Sequence, residues 1–206
     1  MVYLETIDAS DIDRLGELHV AALPHSLVSL LGRRYAKAFY RYIVRSQQEI
    51  LGVVRNSAGS VNAALVVSLC PSTLEARLAC STPLLPSMLI RAPRLPLRQM
   101  AREFLRPDRS GTDERPELII VFTDGRCRGR GIGRSLVRLC EASLKERRLH
   151  SYIVKTESVP ENDALNFYTR LGFRPLHQVR KFGVGFQIFE KDLDTDAGVH
   201  EDVDPQ

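Results

Sequence analysis

The sequence predicts a single α/β domain. Short runs rich in β-branched residues, clearest at 61–69 and 117–123, are too short for most helices and read as strands. Between them lie segments whose apolar residues recur every three or four positions, the period of amphipathic helices. One strand also runs directly into a glycine-rich turn and then a helix, at 117–144. A chain of 206 residues fits one domain, and a composition 44% hydrophobic and 26% charged is that of an ordinary globular protein. Its length buries enough apolar surface that no disulfide or metal staple is needed.

Taken in order, residues 2–7 read as a first strand. Ser10 with Asp13 three positions later forms a capping box for a helix carrying Ile12, Leu15 and Leu18. After Pro24, a second helix presents Leu31, Tyr35, Ala38, Phe39, Tyr42 and Ile43 as one apolar stripe. Residues 49–55 and 61–69 flank a polar, glycine-containing turn and form a hairpin. Residues 82–116 carry six prolines and read as an insertion before the fourth strand, helical at 97–105 and mobile around 108–115. The insertion fits either a lid or a docking arm.

The fourth strand, 117–123, leads through the glycine turn to a helix with Ile132, Leu136, Leu139, Cys140 and Leu144 on its buried face. A fifth strand spans 151–157. Pro160, Glu161 and Asn162 open another helix, whose inner face is Ala164, Phe167, Tyr168 and Leu171 and whose C-terminal cap is Gly172. Residues 173–181 and 185–193 complete a second hairpin, making seven strands. The domain therefore runs from 1 to 193, and the acidic tail 194–206 is expected to be disordered.

Four cysteines show no CxxC pairing and no histidine cluster at metal spacing, which points to a reducing compartment and to no metal. Cys70 and Cys140 read as small buried hydrophobes. Neither a membrane-length apolar run nor a signal-peptide pattern is present, so the expected location is cytoplasmic. Ten arginines crowd between Arg91 and Arg130, while the tail after Leu193 holds five acids and no basic side chain. That asymmetry fits a solvated basic surface or an anionic ligand. No helix-turn-helix or RNA-binding signature accompanies it, and aromatics do not alternate with the arginines, which argues against nucleic acid.

The chemistry concentrates at Asp124 to Gly133. Three glycines in five residues allow unusual backbone angles and close approach by a ligand. Successive N–H groups can then converge on an anion at the start of the following helix. A Walker A loop would need Lys-Ser/Thr after the last glycine, where this chain has Arg134-Ser135. A dinucleotide fingerprint fails in both registers, with Arg134 or Leu136 at its third glycine. A tight turn without ligand is the plain alternative.

Arg128-x-x-Gly131-x-Gly133, between a strand and a helix, resembles the R/Q-x-x-G-x-G/A motif of the GNAT N-acetyltransferase superfamily. A second match, Asn162-x-Ala164-x-x-Phe167-Tyr168-x-x-Leu171-Gly172-Phe173, is similar to that family's N-x-x-A-x-x-F-Y-x-x-x-G-F signature. The order of elements agrees from about 2 to 193, departing at the insertion and the tail. The resemblance implies a mixed, mostly antiparallel central sheet flanked by helices, with acetyl-CoA as acyl donor. It implies that the amides of Arg128, Gly129, Arg130, Gly131, Ile132, Gly133 and Arg134 bind the pyrophosphate. Val121, Phe122 and Thr123 would bond the pantetheine arm through their backbone, as an added strand, in a cleft where this strand parts from the next. One of their N–H groups would stabilise the oxyanion. Asn162 would steady that arm, and Phe167 would line its channel or serve the core.

Tyr168 matches the tyrosine that family members use to protonate the departing thiolate; an amphipathic core tyrosine is the alternative. The amine must be neutral to attack, so a base or a water chain is useful. Glu117 is the candidate base, set against an exposed strand-end glutamate, and Asp124 is a weaker one because turn aspartates cap backbone. Cys127 is not required as a nucleophile. The acceptor is expected to be a primary amine of a small molecule, with an amino sugar among the candidates. A protein N-terminus or lysine and a non-catalytic acetyl-CoA-binding module are the rival readings. His25 or Ser26 could meet a polar acceptor, or simply cap a helix junction. A monomer and a homodimer both stay open.

Overall fold

In the computed structural model the described residues are 2–3, 7–81, 114–181 and 184–194. The expected helix at 97–105, most of the insertion, residues 4–6 of the first strand and the tail from 195 lie outside them.

Seven strands form one sheet: β1 (Val2–Tyr3), β2 (Glu49–Arg55), β3 (Val61–Ser68), β4 (Glu117–Thr123), β5 (Ser151–Glu157), β6 (Arg174–Lys181) and β7 (Val184–Asp192). Their spatial order is β1-β2-β3-β4-β5-β7-β6. Every neighbouring pair is antiparallel except β4 and β5, so the expected mixed, mostly antiparallel sheet is what forms. The helices are α1 (Ala9–Ala22), α2 (Leu27–Leu30), α3 (Arg33–Arg45), α4 (Pro71–Ser81), α5 (Ile132–Glu146) and α6 (Asp163–Arg170).

β3 is buried at all eight positions, because both faces of the sheet are covered. Ala63, Leu65 and Val67 join the layer under α5 and α6, with Leu136, Leu144 and Tyr168. Ala64 and Val66 join the layer under α1 and α3, with Leu15, Phe39 and Ile43. Each leucine, valine, isoleucine or phenylalanine so removed from water contributes roughly 1.5–3 kcal/mol, which is what holds the helices to their faces.

Three local expectations are corrected, and one unread helix is added. The capping box of α1 belongs to Asp8 and Asp11, not Ser10 and Asp13: the Asp8 carboxylate accepts the Asp11 N–H and the Asp11 carboxylate accepts the Asp8 N–H. Ser10 lies inside the first turn and donates to Asp8, while Asp13 pairs with Lys37. The second helix is broken in two, because Gly32 at φ 89° separates α2 from α3. The segment after β3 folds as α4, whose leucines 74 and 78 reach the core. Cys70 is exposed, since β3 ends at Ser68 and Cys70 sits in the turn that opens α4. Cys140 is buried as expected, and burial pushes its thiol up to about 12. No helix among the described residues is long and apolar enough to cross a membrane.

Candidate functional site

β4 and β5 are paired at only two positions, Glu117 with Ile153 and Leu118 with Val154. Beyond Leu118 they part. β4 keeps its antiparallel partner β3 as far as Thr123, while β5 stays paired along its length with β7. Among the described residues, the edge of β4 facing β5 therefore carries no ladder partner from 119 onward. Such an edge presents N–H and C=O groups that an extended ligand with amides of its own can complete.

A bulge in β4 shapes this edge, the register with β3 slipping between Val66 and Val67. In a regular strand Leu118 and Ile120 would share a face. Here Leu118 packs under α5 and Ile120 under α1 and α3. The extra residue, Ile119, flips the alternation, so Val121 faces the α5 layer and Phe122 the α1 layer. Phe122 is buried, whereas Val121 and Thr123 are half-buried at the mouth.

The glycine turn follows at once. The Asp124 side chain accepts the Arg126 N–H, which fixes a short 3-10 turn at Gly125–Cys127. That bond and the Arg14 guanidinium, 2.9 Å away, hold the Asp124 carboxyl below its usual range. A carboxylate so committed is a poor base, as its turn position suggested. Gly129 (φ 76°) and Gly131 (φ 74°, ψ 0°) take left-handed backbone, which explains why glycine stands at both. Gly131 caps α5 without a side-chain bond, and the first intrahelical N–H to find a carbonyl is that of Ser135, on Gly131. The N–H groups of Ile132, Gly133 and Arg134 are thus free of intrahelical partners at the positive end of a fifteen-residue helix. A Cβ built on Gly129 or Gly131 meets nothing within 4 Å, so the space before them is open. Arg128, Arg130 and Arg134 are exposed around it.

Gly133 has a different reason to be glycine. A Cβ there would meet the Phe167 ring at 3.4 and 3.5 Å, so the first turn of α5 and the α6 helix touch at this point. The two sequence motifs, thirty residues apart, are one structure. Phe167 stands edge-on to Tyr168, which is itself edge-on to Phe173. The Tyr168 ring is 5% exposed, and burial raises its phenol well above the ordinary value, so it stays protonated. Among the described residues, the only sealed polar side-chain atoms lacking a partner are Glu49 Oε2 and Asn62 Oδ1. The Tyr168 hydroxyl is not one of them and makes no hydrogen bond to those residues. The ring belongs to the core, as one of the two sequence readings had it.

Asn162 caps α6, accepting the Ala164 N–H, and its amide nitrogen donates to Thr156 Oγ1 and the Glu157 carbonyl. All its strong groups are engaged in tying α6 to the end of β5. Glu117 is buried at the apex where β4 and β5 begin to part, 3.0 Å from Lys155 Nζ. An exposed strand-end glutamate it is not. Cys127 receives only a weak contact from the Asn62 amide. Ser26 caps α2 and also meets His19 Nε2 at 2.9 Å, while His25 is exposed, so the helix-junction reading of Ser26 holds. His19 is fully buried, bonded through Nδ1 to Tyr40 and set 5.8 Å from the Phe122 ring. Burial lowers it to about 4, so it is neutral. Sequence reading missed this triad because its members are separated by up to 21 residues and join only through packing.

Residues 104–175 match the family model for the acetyltransferase (GNAT) domain. A mycothiol acetyltransferase of Nocardia farcinica is 40% identical over 68 residues, which is 32% of this chain. The match spans 22% of that relative's length. Among solved structures, a protein of Corynebacterium glutamicum described as histone acetyltransferase HPA2 and related acetyltransferase superposes with a TM-score of 0.63 at 17% identity, over 93% of this chain and 94% of that one. The ribosomal-protein-S18-alanine N-acetyltransferase of Escherichia coli gives 0.59 at 11% identity, over 98% and 99%. At those identities the structures establish the fold, and with the family model they bear out the resemblance drawn from the two motifs.

Proposed function

We propose that this chain, which carries a GNAT acetyltransferase domain, transfers the acetyl group of acetyl-CoA directly to a primary amine of a small molecule, an amino sugar being one candidate. The observation that carries this reading is the unpartnered edge of β4 running into the left-handed glycine turn at the head of α5. A molecule suited to both has an extended, amide-bearing arm ending in an anion, and the pantetheine pyrophosphate of acetyl-CoA is such a molecule. The amides around Arg128 to Gly133 and the Arg134 N–H would hold the pyrophosphate, and the backbone of Val121, Phe122 and Thr123 the arm. Phe167, lodged against Gly133, would wall the channel. Asn162 would act by fixing the head of α6, because its amide is already bonded.

Acetyl-CoA supplies a thioester carbonyl open to attack by a neutral amine. The seven residues of β4 extend roughly 20 Å, so Glu117 lies a full arm's length from the phosphate turn, at the apex of the cleft. It would receive, directly or through water, the proton the amine sheds as its nitrogen bonds to the acetyl carbon. The Glu117 carboxylate also pairs with the Lys155 Nζ at 3.0 Å. Tyr168 would hand its phenolic proton to the sulfur as the carbon–sulfur bond breaks, and regain one from solvent. Transfer is direct, so no cysteine nucleophile is involved.

The test is incubation of the purified chain with isotopically labelled acetyl-CoA and a cell metabolite extract, with products read by mass spectrometry. A labelled N-acetylated small molecule is expected. Label appearing only in peptides would overturn the small-molecule assignment, and binding of acetyl-CoA with no thiol release toward any amine would leave a sensing module instead.

A further inference from the structure

Lys155 is the first residue of β5 beyond its last pair with β4, so it stands where the cleft begins to open. Val154 and Leu118 pack in the layer under α5. Strand side chains alternate, so Lys155 and Glu117 share the opposite face. There the Lys155 Nζ lies 3.0 Å from Glu117 Oε2. That distance is within the reach a base needs to take a proton. Glu117 is the carboxylate proposed to relieve an attacking amine of its proton, and the primary amine resting on it belongs to the protein itself.

The sequence holds five lysines, at 37, 145, 155, 181 and 191. Lys37 supplies a matched comparison. It pairs with Asp13 at 2.8 Å, and its side chain is 29% exposed against 30% for Lys155. The two amines are thus alike in ion pairing and in access to solvent. They differ in place: Lys37 joins α3 to α1, whereas Lys155 joins β5 to β4 at the apex of the cleft. Lys145 is exposed on the last turn of α5, and Lys191 is buried against Glu141 of the same helix. An amine held beside a bound thioester reacts as part of one complex, without the cost of an encounter. Of these four, Lys155 is the one on the carboxylate proposed as the base.

We infer that Lys155 is an internal acceptor: with acetyl-CoA bound and no outside amine on Glu117, the chain acetylates its own Lys155. The inference rests on the acetyltransferase reading. Glu117 takes one proton from the Lys155 ammonium, and the neutral ε-nitrogen attacks the thioester carbon. The carbon–nitrogen bond forms, the carbon–sulfur bond breaks, and the thiolate leaves and takes up a proton. The nitrogen sheds its second proton as the amide forms. The products are Nε-acetylated Lys155, coenzyme A as the free thiol and one proton released to solvent; nothing is oxidised or reduced. The acetylated side chain carries no charge, so its ion pair with Glu117 is lost. Each chain consumes a single acetyl group in this way.

The experiment incubates the purified chain with isotopically labelled acetyl-CoA and no added amine, follows free thiol, and reads peptides by mass spectrometry. Label on Lys155 is expected to accumulate about tenfold or more faster than on Lys37, with about one equivalent of thiol released per chain. Its rate saturates with acetyl-CoA and is independent of chain concentration. Glu117→Gln slows label on Lys155 about tenfold or more and leaves Lys37 unchanged. Lys155→Arg removes the thiol equivalent while calorimetry still shows acetyl-CoA binding, which also checks that each variant is folded. Lys155 labelled no faster than Lys37, or at a rate that never saturates, marks plain chemical acetylation and overturns the inference. A rate that rises with chain concentration marks transfer between copies and overturns it too, as does label untouched by Glu117→Gln. The two readings fail separately. A labelled small-molecule product with Lys155 unmodified removes only the internal acceptor. Lys155 labelled as expected, with no product from any outside amine, keeps the internal acceptor and removes the small-molecule assignment. Acetyl-CoA bound without any thiol release removes both.

Discussion

Replacing Gly131 by valine separates what its backbone does from what its missing side chain does. The residue sits at φ 74°, where an L-side chain strains the chain by about 1–2 kcal/mol. A Cβ there would touch no protein atom within 4 Å, so no packing penalty adds to that strain. Gly59, in the turn between β2 and β3, has φ 79° and equally open surroundings, which makes Gly59→Val a matched control. Both variants should therefore lose similar stability, with Tm lowered by about 2–4 °C per kcal/mol in a domain of this size. Their binding should differ sharply. At Gly131 the added methyls occupy the space in front of the Ile132, Gly133 and Arg134 N–H groups, where the pyrophosphate is proposed to lie. Each hydrogen bond to a charged oxygen contributes about 1.5–3 kcal/mol, so losing two weakens acetyl-CoA roughly a hundredfold or more. Titration calorimetry with acetyl-CoA, alongside thermal melts of the three proteins, reads both quantities. Equal affinity in Gly131→Val and Gly59→Val would refute the phosphate role of this turn, whatever the melts show.

Tyr168→Phe should reduce turnover by about a hundredfold or more while leaving acetyl-CoA affinity and the melting temperature nearly unchanged. The lost hydroxyl has no hydrogen bond to the described residues, so little stability goes with it; turnover equal to the parent would remove Tyr168 from the acid role. His19 makes stability depend on pH. Its folded-state value of about 4 lies below the unfolded 6.5, so the unfolded chain takes a proton that the folded chain refuses. That contribution is complete above pH 6.5, declines as pH falls toward 4 and then levels, amounting to about 3 kcal/mol. Denaturant melts from pH 7 to 4 should show a shallower acid loss in His19→Gln, and parallel pH curves for the two proteins would refute it.

The strands at 61–69 and 117–123 were legible because a run of β-branched residues bounded by turn formers has few other conformations. Glycine carries its own evidence in the same way. Gly131 and Gly172 were expected at a helix start and a helix end, and both sit at positive φ, where other residues are strained. Asn162 was found at the head of α6, but its amide is consumed by Thr156 and Glu157, a fact of geometry that no motif discloses. The cap of α1 was placed two residues late because acids and a serine at 8, 10, 11 and 13 offer several candidate pairings. The deciding bonds are those between Asp8 and Asp11, reinforced by Arg55 from β2. Cys70 was misread because the apolar pattern of β3 gives no mark where the sheet ends.

By itself, the sequence determined most of the elements, their order and the glycine turn between a strand and a helix, since each depends on backbone preferences set by neighbouring residues. Tertiary structure alone decided the bulge at Ile119 and the contact of Phe167 with Gly133; the parting of β4 from β5, which the resemblance implied, comes after two pairs. Tertiary structure also joined Arg14 to Asp124 across 110 residues. These features arise from burial and hydrogen bonding between distant segments, whose energies no local window of the chain contains.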